Sequence, residues 1–324
     1  MSSPQHSSFH LVPPDMRDAI NTFNAEASQI VESLVKQLES YKAPPVVYHY
    51  TTDAGLRGIL QSGRIWLTNI FSLNDPSELR HGLSRAQAIL NQKAASGPPE
   101  SKIFAKDFAS LDKGLDRAAH FFVCSFSEAG DDLGQWRAYA DNGRGYALGF
   151  DAKALEEAFG KGAETPTSNN AAFPVTYGDS TLDDIQRQLI EKMFGLISLP
   201  HGRRLPGDVI VAYMAELLTT LASHATHAAL FFKHKAYDNE KEYRFLEVHR
   251  ADAMPAHSLR GRPYSLIRYR EFDWRGLAAA ALKKIVVGPA AHPDRALQFA
   301  QDCVREFVVK DVDITLSEIP YRAD

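Results

Sequence analysis

Val46-Val47-Tyr48-His49-Tyr50-Thr51-Thr52 is a run of β-branched and aromatic residues, a pattern that is typical of a buried strand. The residues that follow, 53–62, have the pattern of a short helix, and Gly63 is placed to end it. A second strand is predicted over residues 65–68. We expect the first strand to end on His49 and its neighbouring hydroxyls at the first turn of the helix, where they are well placed to hold a polar ligand.

His49 has two interpretations. A single histidine in a strand is more often a core residue with satisfied polar atoms than a ligand-binding residue. Here Tyr48, Tyr50, Thr51 and Thr52 place further polar side chains beside it, and a strand that only supports a core rarely needs so many. We therefore favour a functional role for this cluster and keep a purely structural role as the alternative.

The composition is that of an ordinary globular protein. Of the 324 residues, 44% are hydrophobic and 23% are charged, which allows a sizeable core and argues against global disorder. The net charge of −4 gives the chain as a whole no electrostatic attraction to duplex DNA. This net charge is still compatible with a local basic groove. Cys124 and Cys303 lack metal-ligand spacing and are expected to be reduced and buried, as in a cytoplasmic protein. We see no signal peptide and no long apolar run, and so predict no membrane segment.

Strand and helix patterns follow one another without a repeat or strict alternation, which favours an α+β fold over a doubly wound sheet. Residues 1–43 are predicted to form a disordered tail and an amphipathic helix. Residues 44–324 are predicted to form one domain with a central mixed or antiparallel sheet as its core. Helical insertions are expected at about 76–119 and 180–235.

The N-terminal helix has a strongly apolar face. If nothing else covers this face, the helix is a candidate contact for a homo-oligomer or another partner. The residues on which this prediction depends are Ile20, Phe23, Ile30 and Leu34.

Glu240-Lys241-Glu242-Tyr243-Arg244-Phe245-Leu246-Glu247 is the most polar of the predicted strands. Two-residue alternation places Glu242 and Arg244 on the same face. The residues alone favour a solvated edge strand with a surface ion pair, which contributes little to stability. The other interpretation is a carboxylate that a guanidinium steadies at the mouth of a cleft.

Trp136 and Tyr139 lie three residues apart and can share one face of a short helix before the turn Asn142-Gly143-Arg144-Gly145. Their rings either stack on a ring of a ligand or pack on the sheet, and packing is the commoner arrangement.

Several familiar site motifs are absent from the sequence. His224 and His227 lie on a predicted helix, but no further ligand has zinc-site spacing, and we therefore predict no metal. No Gly-x-Ser-x-Gly, P-loop or Gly-x-Gly-x-x-Gly motif is present, which argues against a hydrolase, an NTPase or a Rossmann domain.

A set of motifs, in this order, resembles the domain of unknown function family 2971 over most of residues 46–320. No settled activity accompanies that family. The motifs are Tyr48-His49-Tyr50-Thr51, Leu56-x-x-Ile59-Leu60-x-x-Gly63, Trp66-Leu67-Thr68, Leu73-Asn74-Asp75-Pro76-x-Glu78, Trp136-x-x-Tyr139, Glu240-x-Glu242-Tyr243-Arg244 and Val287-Gly288-Pro289.

The opening strand–helix–glycine–strand pattern is also similar to ADP-ribosyltransferases of the His-Tyr-Glu type, including their DNA-modifying toxin branch. This resemblance implies an ADP-ribosyltransferase-like fold and NAD as the substrate, with no metal. By order along the chain, His49 would hold the ribose of NAD and Glu242 would drive the transfer. The aromatic residue beside the nicotinamide would be Tyr139 or Tyr146.

The same resemblance implies a wider cofactor-binding set. Arg244 would keep Glu242 ionised and in place or bind a pyrophosphate oxygen. The other cofactor-binding residues would be Tyr50, Thr51, Asn74 and Trp136. The acceptor of ADP-ribose, a protein or a nucleic acid, stays open, and so does a role in phage defence or in a toxin system. The alternative is a non-catalytic nucleotide-sensing or partner-binding module.

Overall fold

The structure is a computed structural model, which describes residues 8–73, 77–111, 119–161, 168–250, 253–278, 280–308 and 311–322. The chain divides into two compact units, and each unit is assembled from three segments. Unit 1 takes residues 1–37, 75–119 and 176–235, and unit 2 takes residues 38–74, 120–175 and 236–324. Two segments of unit 1 coincide closely with the predicted helical insertions.

Helices are numbered along the chain. They are α1 (Pro14–Glu39), α2 (Asp53–Ser62), α3 (Ser77–Ala95), α4 (Pro99–Ala109), α5 (Leu133–Tyr139), α6 (Ala152–Lys161), α7 (Ser180–Phe194), α8 (Gly207–Ala229), α9 (Trp274–Ala278) and α10 (Pro293–Phe307).

Strands are numbered in the same way. They are β1 (Val46–Thr51), β2 (Arg64–Asn69), β3 (Ala119–Ser127), β4 (Tyr146–Asp151), β5 (Ser168–Pro174), β6 (Thr176–Tyr177), β7 (Phe232–Lys233), β8 (Glu242–Arg250), β9 (Ser258–Arg262), β10 (Ser265–Asp273), β11 (Leu282–Val287) and β12 (Asp313–Leu316).

Unit 1 is mainly helical. Its long helix α8 packs against α3, α4 and α7, and the short parallel pair β6–β7 belongs to the same unit. By length and composition α8 is apolar enough to cross a membrane, but 44% of its most apolar stretch is buried inside the protein. A helix in the core of a folded protein meets the same criterion, and α8 alone is therefore weak evidence for a membrane segment.

Helix α1 buries its apolar face within its own unit. Ile20, Phe23 and Leu34 are buried, and the Asn24 side chain lies 2.8 Å from Nε2 of His224 on α8. Of the four residues on which the predicted oligomer contact depends, these three are covered within the protein and Ile30 is partly buried, and the oligomer stays a prediction. Of the predicted disordered tail, residues 1–7 lie outside the described residues, whereas residues 8–11 form a 3-10 helix and Val12 is buried.

Within the described residues, unit 2 contains a mixed sheet of ten strands. Eight strands follow the order β12-β11-β4-β1-β3-β2-β10-β9, while β8 pairs with β3 and β5. β11 and β12 are parallel, whereas β1 pairs antiparallel with β3 and β4. The predicted α+β class with a mixed central sheet is confirmed.

The main core of unit 2 lies between this sheet and the helices α2, α6 and α10. Phe126, Phe150 and Phe245 contribute large buried rings from three strands. Burying one such side chain stabilises the folded state by roughly 1.5–3 kcal/mol. The same cluster holds Cys124 and Cys303, which are free and buried as expected.

Helix α2 follows β1 with defined signals at both ends. Thr52 is the N-cap, and its Oγ1 accepts a hydrogen bond from the backbone N–H of Gly55 at 3.2 Å. Gly63 ends the helix in the left-handed region, with φ of 70°, and its N–H donates to the Ile59 carbonyl. The sequence prediction of this helix is confirmed over residues 53–62, and β1 is thereby followed by a rigid turn.

Candidate functional site

His49 lies in the middle of β1, where that strand is held between two neighbours. β1 pairs with β4 along its whole length and with β3 at Tyr48 and Ser127. The partly buried His49 ring places Nδ1 3.2 Å from the backbone carbonyl oxygen of Ser125. Its ring centroid lies 5.5 Å from that of Phe126.

The surroundings of His49 favour the neutral imidazole. Burial lowers the pKa of His49 below its usual value, and the contact with the Ser125 carbonyl opposes this shift only in part. A carbonyl oxygen only accepts hydrogen bonds, and we therefore assign the proton to Nδ1. Nε2 is then an acceptor for a donor on a ligand, such as a ribose hydroxyl.

Glu242 and Arg244 form a buried ion pair on β8. Both side chains are about 4–5% exposed, and Arg244 Nε lies 2.7 Å from Glu242 Oε1. The interpretation that the residues alone favoured, a solvated edge strand with a surface pair, is wrong. The reason is that β8 pairs with β3 and β5 and is therefore not an edge strand, and the fold around it removes both side chains from water.

Ser125 on β3 connects the two halves of the site. Its hydroxyl donates a 2.6 Å hydrogen bond to Glu242 Oε1, while its carbonyl faces His49 Nδ1. Ser125 itself is exposed, and its hydroxyl therefore links the solvent to a buried carboxylate. We define the His49 site as His49, Ser125, Glu242 and Arg244.

Sequence reasoning missed Ser125. The available signal was a single hydroxyl inside the apolar run Phe121-Phe122-Val123-Cys124-Ser125-Phe126, where a solvent-accessible polar side chain is out of pattern. The neighbouring thiol is not an alternative nucleophile. Burial first, and then the negative charge of Glu242, raise the pKa of Cys124 and keep its thiol protonated.

Tyr50 and Trp136 lie together in a second, smaller cluster. Their ring centroids are 4.8 Å apart at 78°, and Trp136 is fully buried. Trp136 Nε1 donates to Asp131 at 2.6 Å, and the Tyr50 hydroxyl donates to the Ala129 carbonyl at 2.8 Å. These two rings pack within the protein rather than presenting a face to a ligand. For Trp136 this is the arrangement in which the ring packs on the sheet, the second of the two interpretations of the sequence.

The remaining predicted site residues are dispersed. Tyr146 is buried in the main core, with its hydroxyl 3.3 Å from the Ala296 carbonyl. Tyr139 is about half exposed at the end of α5. Thr51 is partly buried against the first turn of α2. Asn74 lies outside the described residues. The structure thus pairs Glu242 with Arg244 and places His49 and Glu242 on the carbonyl and the hydroxyl of Ser125, while Trp136 and Tyr146 are buried in packing contacts.

Unit 1 has a surface groove of its own. A mostly apolar groove of about 270 Å³ lies on α3, α4 and the residues after α4. It is lined by Arg80, Leu83, Ser84, Gln87, Phe108, Ala109 and Leu111, a set without a carboxylate or a histidine. Among the described residues, no group of three or more His, Cys, Asp or Glu side chains could hold a metal ion.

Comparison with known protein families gives one match. Residues 135–245 match the family described as protein of unknown function (DUF2971). The DUF2971 match runs from α5 into β8, and it includes Glu242 and Arg244 but neither His49 nor Ser125. The predicted family is thus supported over these residues rather than over most of 46–320.

No curated protein and no solved structure matches the chain. The DUF2971 match carries no activity with it. The ADP-ribosyltransferase resemblance is not shown by any comparison and stays a hypothesis about the site.

Proposed function

We propose that this protein is an ADP-ribosyltransferase-like enzyme, which cleaves NAD at the nicotinamide–ribose bond and transfers ADP-ribose to an acceptor. The observation that carries the proposal is the arrangement of the His49 site on three strands of one unit. The His49 imidazole contacts the Ser125 carbonyl, and the Ser125 hydroxyl contacts a carboxylate that a guanidinium steadies.

The reaction needs a negative charge close to the ribose. Cleavage breaks the bond between C1′ of the ribose and the ring nitrogen of nicotinamide, and the bonding electron pair leaves with nicotinamide, which becomes neutral. Positive charge then develops on the ribose, as in glycoside cleavage, and a nearby carboxylate stabilises it. The acceptor forms the new bond to C1′ and releases a proton. Glu242 is the carboxylate that we assign to this role.

Each of the other side chains has a separate task in this proposal. The Nε2 atom of His49 accepts from a ribose hydroxyl and fixes the sugar in a reactive pose. Ser125 contacts the substrate directly because its hydroxyl is the exposed group on Glu242. Arg244 is committed to Glu242 through Nε, which favours its role of holding the carboxylate in place over binding of pyrophosphate.

The test is to incubate the purified protein with NAD and follow free nicotinamide. We expect release by the parent and a loss on the order of 100-fold in His49→Ala and in Glu242→Gln. Unchanged turnover in Glu242→Gln would overturn the assignment.

Glu247→Gln is the matched control for this experiment. Glu247 lies on the same strand, is similarly buried, and pairs with Arg270 at 2.7 Å instead of with Arg244. Both glutamine variants remove a buried negative charge from an ion pair on β8. Loss of nicotinamide release in Glu242→Gln but not in Glu247→Gln would separate a role in the reaction from general damage to the sheet.

A second candidate function is nucleotide binding without turnover. It is favoured by the burial of Glu242 and by the two donors that already occupy its Oε1 atom. In that case NAD raises the melting temperature of the parent, while no nicotinamide is released. A cytoplasmic location, a role in phage defence or a toxin system, and the identity of the acceptor are further proposals that this assay does not address.

A further inference from the structure

The hairpin formed by β9 and β10 is a basic segment of unit 2 that the proposed NAD chemistry does not use. From Ser258 to Arg270 the sequence has four arginines and no aspartate or glutamate, and with Glu271 and Asp273 at the end of β10 the hairpin has a net charge of +2 (four minus two), although the whole chain has a net charge of −4. We call residues 258–270 the basic hairpin. Strand β9 is the last strand of its sheet path, and the hairpin is therefore at an edge of the sheet.

An aromatic pair lies beside the basic hairpin. Trp66 on β2 and Tyr269 on β10 have ring centroids 4.4 Å apart at 36°. The guanidinium of Arg260 on β9 lies 5.2 Å from the centroid of the Trp66 ring, within cation–π range. Trp66 is 43% exposed, which is unusual for the most hydrophobic of the aromatic side chains. We call Trp66, Tyr269 and Arg260 the Trp66 platform.

The charges on this surface are only partly neutralised within the protein. Arg64 pairs with Glu271, and Arg270 pairs with the buried Glu247 at 2.7 Å. By contrast, the described residues offer no carboxylate partner to Arg260 or Arg268, and Arg268 is exposed. The surface therefore presents uncompensated positive charge next to an exposed indole.

We propose that the Trp66 platform and the basic hairpin bind single-stranded nucleic acid. A base stacks on the exposed part of the Trp66 ring, and Arg260 with neighbouring residues of the basic hairpin contacts the adjacent phosphates. Stacking on an aromatic side chain needs an unpaired base, because a duplex hides the faces of its bases. The arginines match the negative charge of the backbone and also the flat faces of bases.

The experiment is fluorescence anisotropy with the purified full chain and labelled oligonucleotides, in the absence of NAD. The probes are homopolymers of deoxythymidine and of uridine of about 20 nucleotides, and a blunt DNA duplex of the same length. We expect both single strands to bind more tightly than the duplex. Tighter binding of one strand than of the other would identify the preferred sugar.

Three variants and one control variant locate the binding surface. Trp66→Ala and Arg260→Ala are each expected to weaken single-strand binding by about 10-fold or more, and Trp66→Phe by less, because a smaller ring remains. Arg295→Ala removes an exposed arginine from α10 of the same unit and is expected to leave binding unchanged. Circular dichroism of each variant checks that the fold is retained.

Four outcomes would overturn the proposal. They are no binding of a single strand by the parent, equal binding of the duplex, equal binding by Trp66→Ala, and a loss in Arg295→Ala as large as in Arg260→Ala. Self-association that Trp66→Ala abolishes, without oligonucleotide binding, would identify a second copy of this chain as the partner instead. Since no NAD is present, none of these results depends on the proposed transferase activity.

Discussion

Ser125 is the residue through which His49 and Glu242 are joined, by its carbonyl and by its hydroxyl. Ser125→Ala removes the hydroxyl from an exposed position and leaves no cavity. We expect nicotinamide release to fall on the order of 100-fold, while the unfolding free energy in urea falls by only about 1 kcal/mol because water replaces the lost donor.

The matched control for Ser125→Ala is Ser127→Ala. Ser127 lies two residues along the same strand, is buried, and donates to the Glu240 carbonyl at 2.7 Å instead of to a carboxylate. This variant should lose about 1–2 kcal/mol of stability and keep its activity. Full activity in Ser125→Ala would show that the hydroxyl is structural.

Glu242 and Arg244 make a second prediction at the residue scale. Because the pair is buried, Glu242→Gln removes a negative charge that contacts the Arg244 guanidinium, and we expect a loss of about 3 kcal/mol in the unfolding free energy. The double variant Glu242→Gln/Arg244→Met should recover most of that loss, because no buried charge remains. Urea denaturation of the parent, both single variants and the double variant measures the coupling, and additive losses would contradict a buried pair.

Residue-scale reasoning from the sequence reached part of the site. The crowding of polar side chains around His49 and the alternation in β8 singled out His49, Glu242 and Arg244, of which the structure pairs Glu242 with Arg244 and places His49 beside the Ser125 carbonyl. It failed for Ser125, because a single serine in an apolar strand gives no local signal of a long-range hydrogen bond. It favoured a surface pair at Glu242 because burial is decided by which strands pair, and periodicity does not contain that information.

At the scale of elements, α2 depends on a close approach between Gly55 and Thr51. A Cβ at Gly55 would lie 1.8 Å from Thr51 Oγ1, whereas a Cβ at Gly58 of the same helix would meet nothing within 4 Å. Gly55→Ala should therefore destabilise the protein by about 1–2 kcal/mol through overpacking. Gly58→Ala should stabilise it by up to about 1 kcal/mol, since alanine has the higher helix propensity.

Thermal or urea unfolding of these two glycine variants measures the difference. The double variant Thr51→Ala/Gly55→Ala should relieve the clash. The higher helix propensity of alanine at position 55 should then stabilise the protein, as it does in Gly58→Ala. Equal effects of Gly55→Ala and Gly58→Ala would show that Thr51 does not approach the helix.

Helix α8 should make stability sensitive to acid. Burial lowers the pKa of His224 to about 4, and burial followed by the charge of His224 lowers the pKa of His227 to about 4. Unfolded histidine titrates near 6.5. Between these values the unfolded chain binds more protons than the folded one, so stability is complete above pH 6.5 and falls as the pH decreases toward 4.

The size of this effect is about 2 kcal/mol per histidine by pH 5. Urea unfolding at pH 7.5 and pH 5 measures it in the parent and in the double variant His224→Gln/His227→Gln. The variant should lose less stability than the parent over this interval. An equal loss would assign the acid sensitivity to carboxylates elsewhere in the chain.

Elements with strong local signals were predicted well. The helical pattern of residues 53–62 and the end signal of Gly63 predicted α2, as observed. The sheet order was not predictable in the same way, because β8 reaches β3 across more than 100 residues of sequence. Such pairings depend on the packing of the whole unit rather than on the residues of one strand.

At the scale of the molecule, each unit is interleaved with the other along the chain. The sequence indicated helical segments near 76–119 and 180–235 but not that they form a unit together with α1. Apolar stripes on separate helices show which helix faces must be buried. They do not show which other helices bury them. The buried α1 face and the hydrogen bond between Asn24 and His224 show that cover within unit 1.

The positive charge of the basic hairpin contrasts with the negative net charge of the whole chain. A chain of net charge −4 does not attract nucleic acid as a whole, and the binding proposed for the basic hairpin must therefore rest on a few contacts. For about three phosphate contacts, the logarithm of the association constant should fall with the logarithm of salt concentration with a slope near −2. Arg260→Ala should reduce that slope by about 0.7, because one contact is lost.

Trp66→Ala should behave differently in the same titration. Stacking releases no counterions, so this variant should bind more weakly at every salt concentration with an unchanged slope. Anisotropy titrations at several salt concentrations separate the two contributions. If the slope changes equally in both variants, Trp66 only positions the arginines. A slope near zero in the parent would exclude phosphate contacts by the basic hairpin.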